Sequence, residues 1–315
     1  MFLFLTCFVF ACLFSLLCSL LEREFFLFGS PIQRSPSPAM HNAGFKSLAL
    51  APLFTYGLHD TTDVLDIVKR MQAPDTRFGG GSVTIPLKVD VMAHLDELSP
   101  AAQAIGAVNT IMREDRSSSP RWKGDNTDWL GILRPISKRL ATLNTDKPAS
   151  ELTALVVGAG GTSMAASYAM RQLGVGQLFI FNRTLEKAQA VASRFHAQAL
   201  AELTAETLAR VDVVVSTIPA QAGFQLPDHL VAPRADGSKV VVLDAAYMPP
   251  ITPMLAHAHA SGGALCIQGY EMLYEQGIEQ FYRWHKATQV WAVDEEAIKE
   301  ACRQHVPVEQ RLTQA

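Results

Sequence analysis

The segment VVGAGGTSMAAS, residues 156 to 167, constrains this chain more than any other. An apolar run enters a glycine turn and continues as a helical stretch, TSMAASYAMRQLG, that Gly174 ends. A strand, glycine turn and helix in that order leave backbone N–H groups and the positive end of a helix dipole facing outward, which suits a pyrophosphate. Gly158 permits the tight turn, and Gly160 lets the backbone approach a phosphate. The full G-x-G-x-x-G pattern is not met, because Ser163 stands at the third glycine; serine is small enough for the helix still to pack on the strand. The plainer alternative is an ordinary glycine turn of an α/β domain. The continuation favours a dinucleotide: QLFIFNRT, LEKAQAVASRF, VDVVVSTIP and KVVVLDAAY keep alternating strand and helix, as a doubly wound parallel sheet requires.

The second of these strands ends in Asn182, Arg183 and Thr184, where an NAD site usually carries an acid for the ribose hydroxyls. An acid there would repel a 2′-phosphate. Arg183 can clamp one, Thr184 can donate to it, and Lys187 adds charge one helical turn on. The expected cofactor is therefore NADP; the alternative is that Arg183 is a solvated surface residue.

Upstream, the chain also alternates. FFLFG reads as a buried strand, AMHNAGFKSLAL as a helix, FTYGLHD as a strand and TTDVLDIVKRM as a helix with a threonine cap. GGGSVTIP is a third strand, LKVDVMAHLDEL reads as helical and AIGAVNTIM as a strand, so a mostly parallel sheet is expected. EDRSSSPR, residues 114 to 121, is a hairpin or loop, and GDNTDWLGILRPISKRL begins a helix. The long helical stretch GYEMLYEQGIEQFYRWHKA follows the nucleotide unit and is expected to pack back on the first region. The fold class is α/β with two domains: a discontinuous α/β substrate domain (23–126 plus 270–315) and a doubly wound Rossmann-type NADP domain (127–269).

Four segments rich in small polar groups lie at expected strand ends: SPIQRSPSPAMHN, GGGSVTIPLK, IGAVNT and GDNTDWLG. Open α/β sheets bind ligands beyond the carboxyl ends of their strands, so these segments are expected to meet in one cleft. Each has a bland reading alone: Ser35 and Ser37 as turn formers, Thr84 as a strand residue, Lys88 as a solvated charge, Asn109 as a turn cap, Asp128 as a helix start. Their joint occurrence beside a dinucleotide turn is what argues for a site.

As a set, PIxxSxSPxxHN, VTIPLK, GAVNT, GDNTDW, GAGGTS, NRT and MLxEQGxxxF resemble the shikimate dehydrogenase family, including its quinate/shikimate relatives, from about Phe25 to about Trp291. The resemblance implies an NADP-dependent oxidation of shikimate to 3-dehydroshikimate in aromatic amino acid biosynthesis. It implies that Ser35 and Ser37 bond the substrate carboxylate and that Thr84, Asn109 and Gln276 hold the ring. It further implies that Tyr247 helps close the cleft and that Lys88 and Asp128 form the catalytic pair. The cofactor is assigned to Gly158, Ala159, Gly160, Gly161, Thr162, Asn182, Arg183, Thr184, Lys187, Thr217 and Gly269, with no metal. A hydride leaves carbon while a proton leaves oxygen, and a lysine–carboxylate pair can accept that proton through either of its members. Two departures stand out: Arg34 where the family often has histidine, and Ser30 where it usually has glycine. The paired serines favour shikimate over quinate. The alternatives are a quinate/shikimate dehydrogenase using NAD or NADP, and a non-catalytic sensor of the same fold, which would have no need of Lys88 and Asp128.

The net charge of -3, without a basic run, argues against nucleic acid as a partner. The partner expected is a small molecule, shikimate or quinate, on a monomer or homodimer. Cys7, Cys12, Cys18, Cys266 and Cys302 form no CxxC pair, which gives neither a disulfide framework nor a zinc site and fits a reducing compartment. Residues 1 to 21 carry no charged side chain and are long enough to span a bilayer. They lack the basic start and A-x-A site of a signal peptide; a membrane anchor and a faulty gene start are the other two readings. The expected location is cytoplasmic, with a membrane tether if this leader is retained.

Overall fold

The computed structural model describes residues 22–73, 77–116, 119–143, 147–285 and 293–312, so the apolar leader lies outside the described residues. The first part runs β1 (Arg23–Gly29), α1 (Ser37–Ser47), β2 (Phe54–Asp60), α2 (Val64–Gln72), β3 (Phe78–Val83), β4 (Glu97–Leu98), α3 (Pro100–Ile105), β5 (Thr110–Glu114) and β6 (Arg121–Asp125). Helix α4 (Asp128–Thr142) then leads into β7 (Thr153–Val157), α5 (Gly161–Leu173), β8 (Gln177–Phe181), α6 (Leu185–Arg194) and β9 (Gln198–Leu200). Next come α7 (Ala205–Leu208), β10 (Val213–Ser216), α8 (Asp228–Val231), β11 (Val240–Asp244), α9 (Pro253–Ala260), β12 (Ala264–Ile267), α10 (Gly269–His285) and α11 (Glu295–Arg303).

Among the described residues these strands form two six-stranded sheets. The second has the order β12-β11-β10-β7-β8-β9, parallel throughout, with its chain reversal between β7 and β10. That is the doubly wound order, in which the crevice at the reversal receives a ligand. Both faces are covered, so its strands read as unbroken apolar runs: VVVS of β10 and VVVLD of β11 are buried at every residue.

The first sheet, β2-β1-β3-β5-β6-β4, is mixed. β1 pairs in parallel with β2 and β3, but β5 runs antiparallel to both β3 and β6. β6 follows β5 closely in the chain, and a short connection can only join antiparallel strands.

Some elements differ from the sequence reading. LKVDVMAHLDEL yields a five-residue 3-10 helix, Asp90–His94, and the two-residue strand β4, because the turn of residues 85–89 uses up the start of the expected helix. In AIGAVNTIM the strand begins only at Thr110: Gly106 ends α3 in the left-handed conformation, and residues 107–109 connect the two.

Helix α10 packs along α4, and Gly131 sets how closely: a Cβ there would lie 2.6 Å from the Met272 carbonyl oxygen and 2.9 Å from Gln276 Cβ. Arg139 of α4 and Glu271 of α10 add an ion pair at 2.9 Å across the same contact. Cys266 and Cys302 are buried. Among the described residues no helix is long and apolar enough to cross a membrane.

Candidate active site

A cleft of about 400 Å³ opens between the carboxyl ends of the two sheets. Ser35, Ser37, Thr84, Lys88 and Asn109 line it from the first sheet's side, and Gly160, Gly161, Thr162, Thr217 and Tyr247 from the second's. Asp128, at the start of α4, Gly269, Gln276 and Gln280, on α10, and Ser82, on β3, line it as well. A larger cavity of about 730 Å³ lies at the amino ends of the second sheet's strands, around Lys147 and Asp212, and contains none of these groups.

Lys88 follows β3 in a turn, and Val108 N–H donates to its carbonyl at 2.7 Å, which fixes that turn against the residues leading into β5. Its Nζ lies 2.6 Å from Asp128 Oδ2, with 14% of the lysine side chain and 5% of the aspartate exposed. Asp128 sits in the first turn of α4, where a carboxylate suits the helix dipole. Asn126 Oδ1 accepts the Asp128 N–H at 3.0 Å, and Asn109 Nδ2 donates to Asp128 Oδ1 at 2.9 Å. One carboxylate oxygen thus faces the lysine and the other is held by an amide, so the charged pair is directional. Gly161 adjoins it: a Cβ there would lie 3.8 Å from Lys88 Cβ.

Asn109 is buried, and its orientation follows from its partners: Oδ1 accepts from Thr127 N–H at 2.8 Å and from Thr110 Oγ1 at 2.7 Å, which turns Nδ2 toward Asp128 and Gln276. Residues that the sequence reading missed complete this network. Gln280 Nε2 donates to the Asn109 carbonyl at 2.9 Å, while its Oε1 accepts from Ser82 Oγ at 2.7 Å, and Ser82 accepts from the Tyr56 hydroxyl at 2.7 Å. Gln280 lies one turn after Gln276 on α10, so helical spacing was the signal that could have found it.

At the other end, Ser37 opens α1 and Ser35 Oγ donates to Ser37 Oγ at 3.0 Å. Two hydroxyls at a helix start offer neutral donors where the dipole favours an anion. Burial pushes the Tyr247 phenol up, against an opposing pull from the Ser35 hydroxyl, so the phenol stays a proton donor. Arg34 is exposed and does not line the cleft.

Gly158 has φ +118, which a side chain would strain, and its N–H donates to the Phe181 carbonyl at 2.8 Å. The space beside Gly160 is open: a Cβ there would meet nothing within 4 Å. The N–H groups of Gly161 and Thr162 begin α5 and have no carbonyl partner within it. Ala159 lies inside the turn. Asn182, Arg183, Thr184 and Lys187 lie beyond the end of β8, outside the cleft lining, with Arg183, Thr184 and Lys187 exposed; Asn182 Nδ2 donates to the Thr184 carbonyl at 2.9 Å and closes that loop. An open glycine cradle with free donors, and a cationic rather than acidic residue at the next strand end, fit a dinucleotide with a 2′-phosphate. Among the described residues no group of three or more His, Cys, Asp or Glu is placed to hold a metal ion.

Residues 27–111 match the family model for the shikimate dehydrogenase substrate binding domain, and residues 139–260 the model for shikimate / quinate 5-dehydrogenase. The shikimate 5-dehydrogenase of Thermus thermophilus in complex with shikimate is 31% identical, superimposes with a TM-score of 0.71, and is matched over 90% of this chain and 98% of its own.

The chain belongs to the shikimate dehydrogenase family.

The same Thermus enzyme in complex with NADP(H) and shikimate gives a TM-score of 0.73 at 29% identity, covering 90% of this chain and 100% of that one. Among curated relatives, the pentafunctional AROM polypeptide of Schizosaccharomyces japonicus is 37% identical over 286 residues, which is 86% of this chain and 17% of that polypeptide. The chain thus spans about a sixth of the length of the curated relatives it matches. The family's substrate-binding model falls on the mixed sheet and its dehydrogenase model on the doubly wound one.

Proposed function

We propose that this chain is an NADP-dependent shikimate dehydrogenase that reversibly oxidises shikimate to 3-dehydroshikimate. The observation that carries this reading is the Lys88–Asp128 pair, 2.6 Å apart, beside Gly161 of the glycine turn and in the same cleft as Ser35 and Ser37. An acid–base pair, an anion seat and a dinucleotide turn in one crevice suit the oxidation of a hydroxy acid.

In this reading the substrate carboxylate rests on the Ser35 and Ser37 hydroxyls and the Tyr247 phenol. Thr84, Asn109 and Gln276 bond the ring hydroxyls and fix the reacting carbon. The Lys88–Asp128 pair takes the hydroxyl proton as the alcohol becomes a ketone and returns it in the reverse direction. Charge developing on that oxygen is stabilised by Lys88, which is already held in place and needs no reorganisation. Gly158, Ala159, Gly160, Gly161 and Thr162 hold the NADP pyrophosphate, Arg183, Thr184 and Lys187 with Asn182 receive the 2′-phosphate end, and Thr217 and Gly269 flank the nicotinamide end. Bound NADP supplies the hydride acceptor. We assign 23–126 with 270–315 to the substrate lobe and 127–269 to the NADP lobe.

The test is a four-way steady-state assay of shikimate and quinate, each with NADP and NAD, on the full chain. The expected result is turnover highest for shikimate with NADP. Equal or better turnover of quinate, or of NAD, would overturn the assignment of substrate or cofactor, and binding of shikimate without any turnover would favour a sensor.

A further inference from the structure

We propose that the Ser163 and Thr217 hydroxyls form a latch that holds the glycine turn in the shape that receives the cofactor, which makes both of them positioning residues for the dinucleotide. The inference rests on the reading of this turn as an NADP site and concerns how the turn keeps its form.

Ser163 occupies the place of the third glycine and is buried. Its Oγ accepts the Gly160 N–H at 3.0 Å and lies 2.6 Å from Thr217 Oγ1. Thr217 Oγ1 in turn donates to the Val157 carbonyl at 2.9 Å. The Val157 carbonyl also accepts the Thr217 N–H at 2.9 Å, and when the threonine hydroxyl gives its proton to Val157 as well, the proton between the two hydroxyls comes from Ser163. The direction of every bond follows: Gly160 N–H to Ser163, Ser163 to Thr217, Thr217 to Val157.

This relay ties the end of β7 to the turn, to the first turn of α5 and to the residue after β10. It therefore joins the two strands that flank the reversal of the sheet. It also explains the glycine at 158: a Cβ there would lie 2.4 Å from Thr217 Oγ1 and 2.8 Å from Ser163 Oγ. With a third glycine in place of serine, the Gly160 N–H would lose this partner and the turn this brace. With serine, that N–H is drawn inward, and the N–H groups of Gly161 and Thr162 are left to face an anion. Thr217 lines the cleft, yet its proton is spent on Val157; its influence on the cofactor passes through the turn.

The experiment compares Thr217→Val, which removes the hydroxyl at constant shape, with Thr217→Ser, which keeps it, and adds Ser163→Ala at the other end of the relay. NADPH and NADH binding is titrated by fluorescence on the full chain, with the KM for shikimate and the ligand-free melting temperature measured alongside. The expected result is that Thr217→Val and Ser163→Ala each weaken NADPH and NADH by the same factor, about tenfold, as loss of a preorganising hydrogen bond implies. The NADPH-to-NADH ratio stays at the wild-type value, the shikimate KM of Ser163→Ala is unchanged, and Thr217→Ser binds within about twofold of wild type. The latch is overturned if Thr217→Val and Ser163→Ala bind like wild type, or if Thr217→Ser is as weak as Thr217→Val. A wild-type chain that binds no NADPH would overturn the cofactor reading itself, and the latch with it, which is a separate outcome from unchanged variants of a binding-competent protein.

Discussion

Asn109 has two amide hydrogens and three acceptors around them: Thr127 Oγ1 at 2.9 Å, Asp128 Oδ1 at 2.9 Å and Gln276 Oε1 at 3.0 Å. Thr127 Oγ1 is itself a donor and lies 3.4 Å from Gln276 Oε1, so the four side chains close a network in which each is partnered. At the cofactor end Arg183 is the exposed cation at the end of β8, between Asn182 and Thr184. Replacing it with alanine is expected to raise the KM for NADP by about tenfold or more, with the KM for NAD and for shikimate little changed, because only NADP carries the charge it would meet. Steady-state kinetics on the variant checks this, and equal effects on both cofactors would remove the argument for a 2′-phosphate clamp.

The helix pair α4 and α10 shows how elements place chemistry. Gly131 lets the two run so close that Gln276 reaches Asn109 from a position 167 residues away in sequence. Gly131→Ala forces a methyl group onto the Met272 carbonyl, 2.6 Å away, so the helices must part. We expect a loss of about 1–3 kcal/mol of stability and a fall in kcat/KM for shikimate, with NADP binding retained, measured by thermal melting and kinetics. Wild-type kinetics in this variant would mean that the helix contact does not position Gln276. The same pair marks what could be read in advance. Lys88, Asp128, Asn109 and Gln276 stand in short motifs and were legible as a set. Ser82 and Tyr56 were not, because their importance lies in which strand residues meet the buried face of α10, and single-chain spacing does not say; for Gln280 the only signal was its place one turn after Gln276. The antiparallel pairing of β5 with β3 could not be read for a related reason: apolar alternation identifies a strand such as β5 but not its direction. The strand β12 and the helix α11 drew no comment in the sequence, the first because four residues of ALCI are too short for a periodic signal.

At the scale of the whole molecule, stability should depend on pH through two histidines of the substrate lobe's aromatic core. Burial brings His41 down to about 3, with the nearby His285 adding to the effect, and burial brings His285 down to about 4. An unfolded chain takes up these protons near the ordinary value of 6.5, so stability is intact above that pH and falls as the pH drops toward 4, by up to about 1.4 kcal/mol per pH unit for each histidine. Asp244 and Glu271, raised by burial, act in the opposite sense, so the comparison with variants is the decisive one. His41→Phe and His285→Phe should each flatten the acid limb of a plot of melting temperature against pH, and a limb as steep as that of wild type would remove the histidines from the account. Between the two sheets the molecule brings together an amine and a carboxylate from distant parts of the chain, and the account as a whole depends on what happens there. The most direct measurement uses shikimate carrying deuterium on the carbon that bears the reacting hydroxyl, mixed with NADP and the full chain. The account predicts that the label appears on the reduced nicotinamide with wild type, and that Lys88→Ala slows this transfer by about a hundredfold or more while still binding shikimate. Label remaining on the substrate with wild type, or transfer at an undiminished rate in Lys88→Ala, would contradict it.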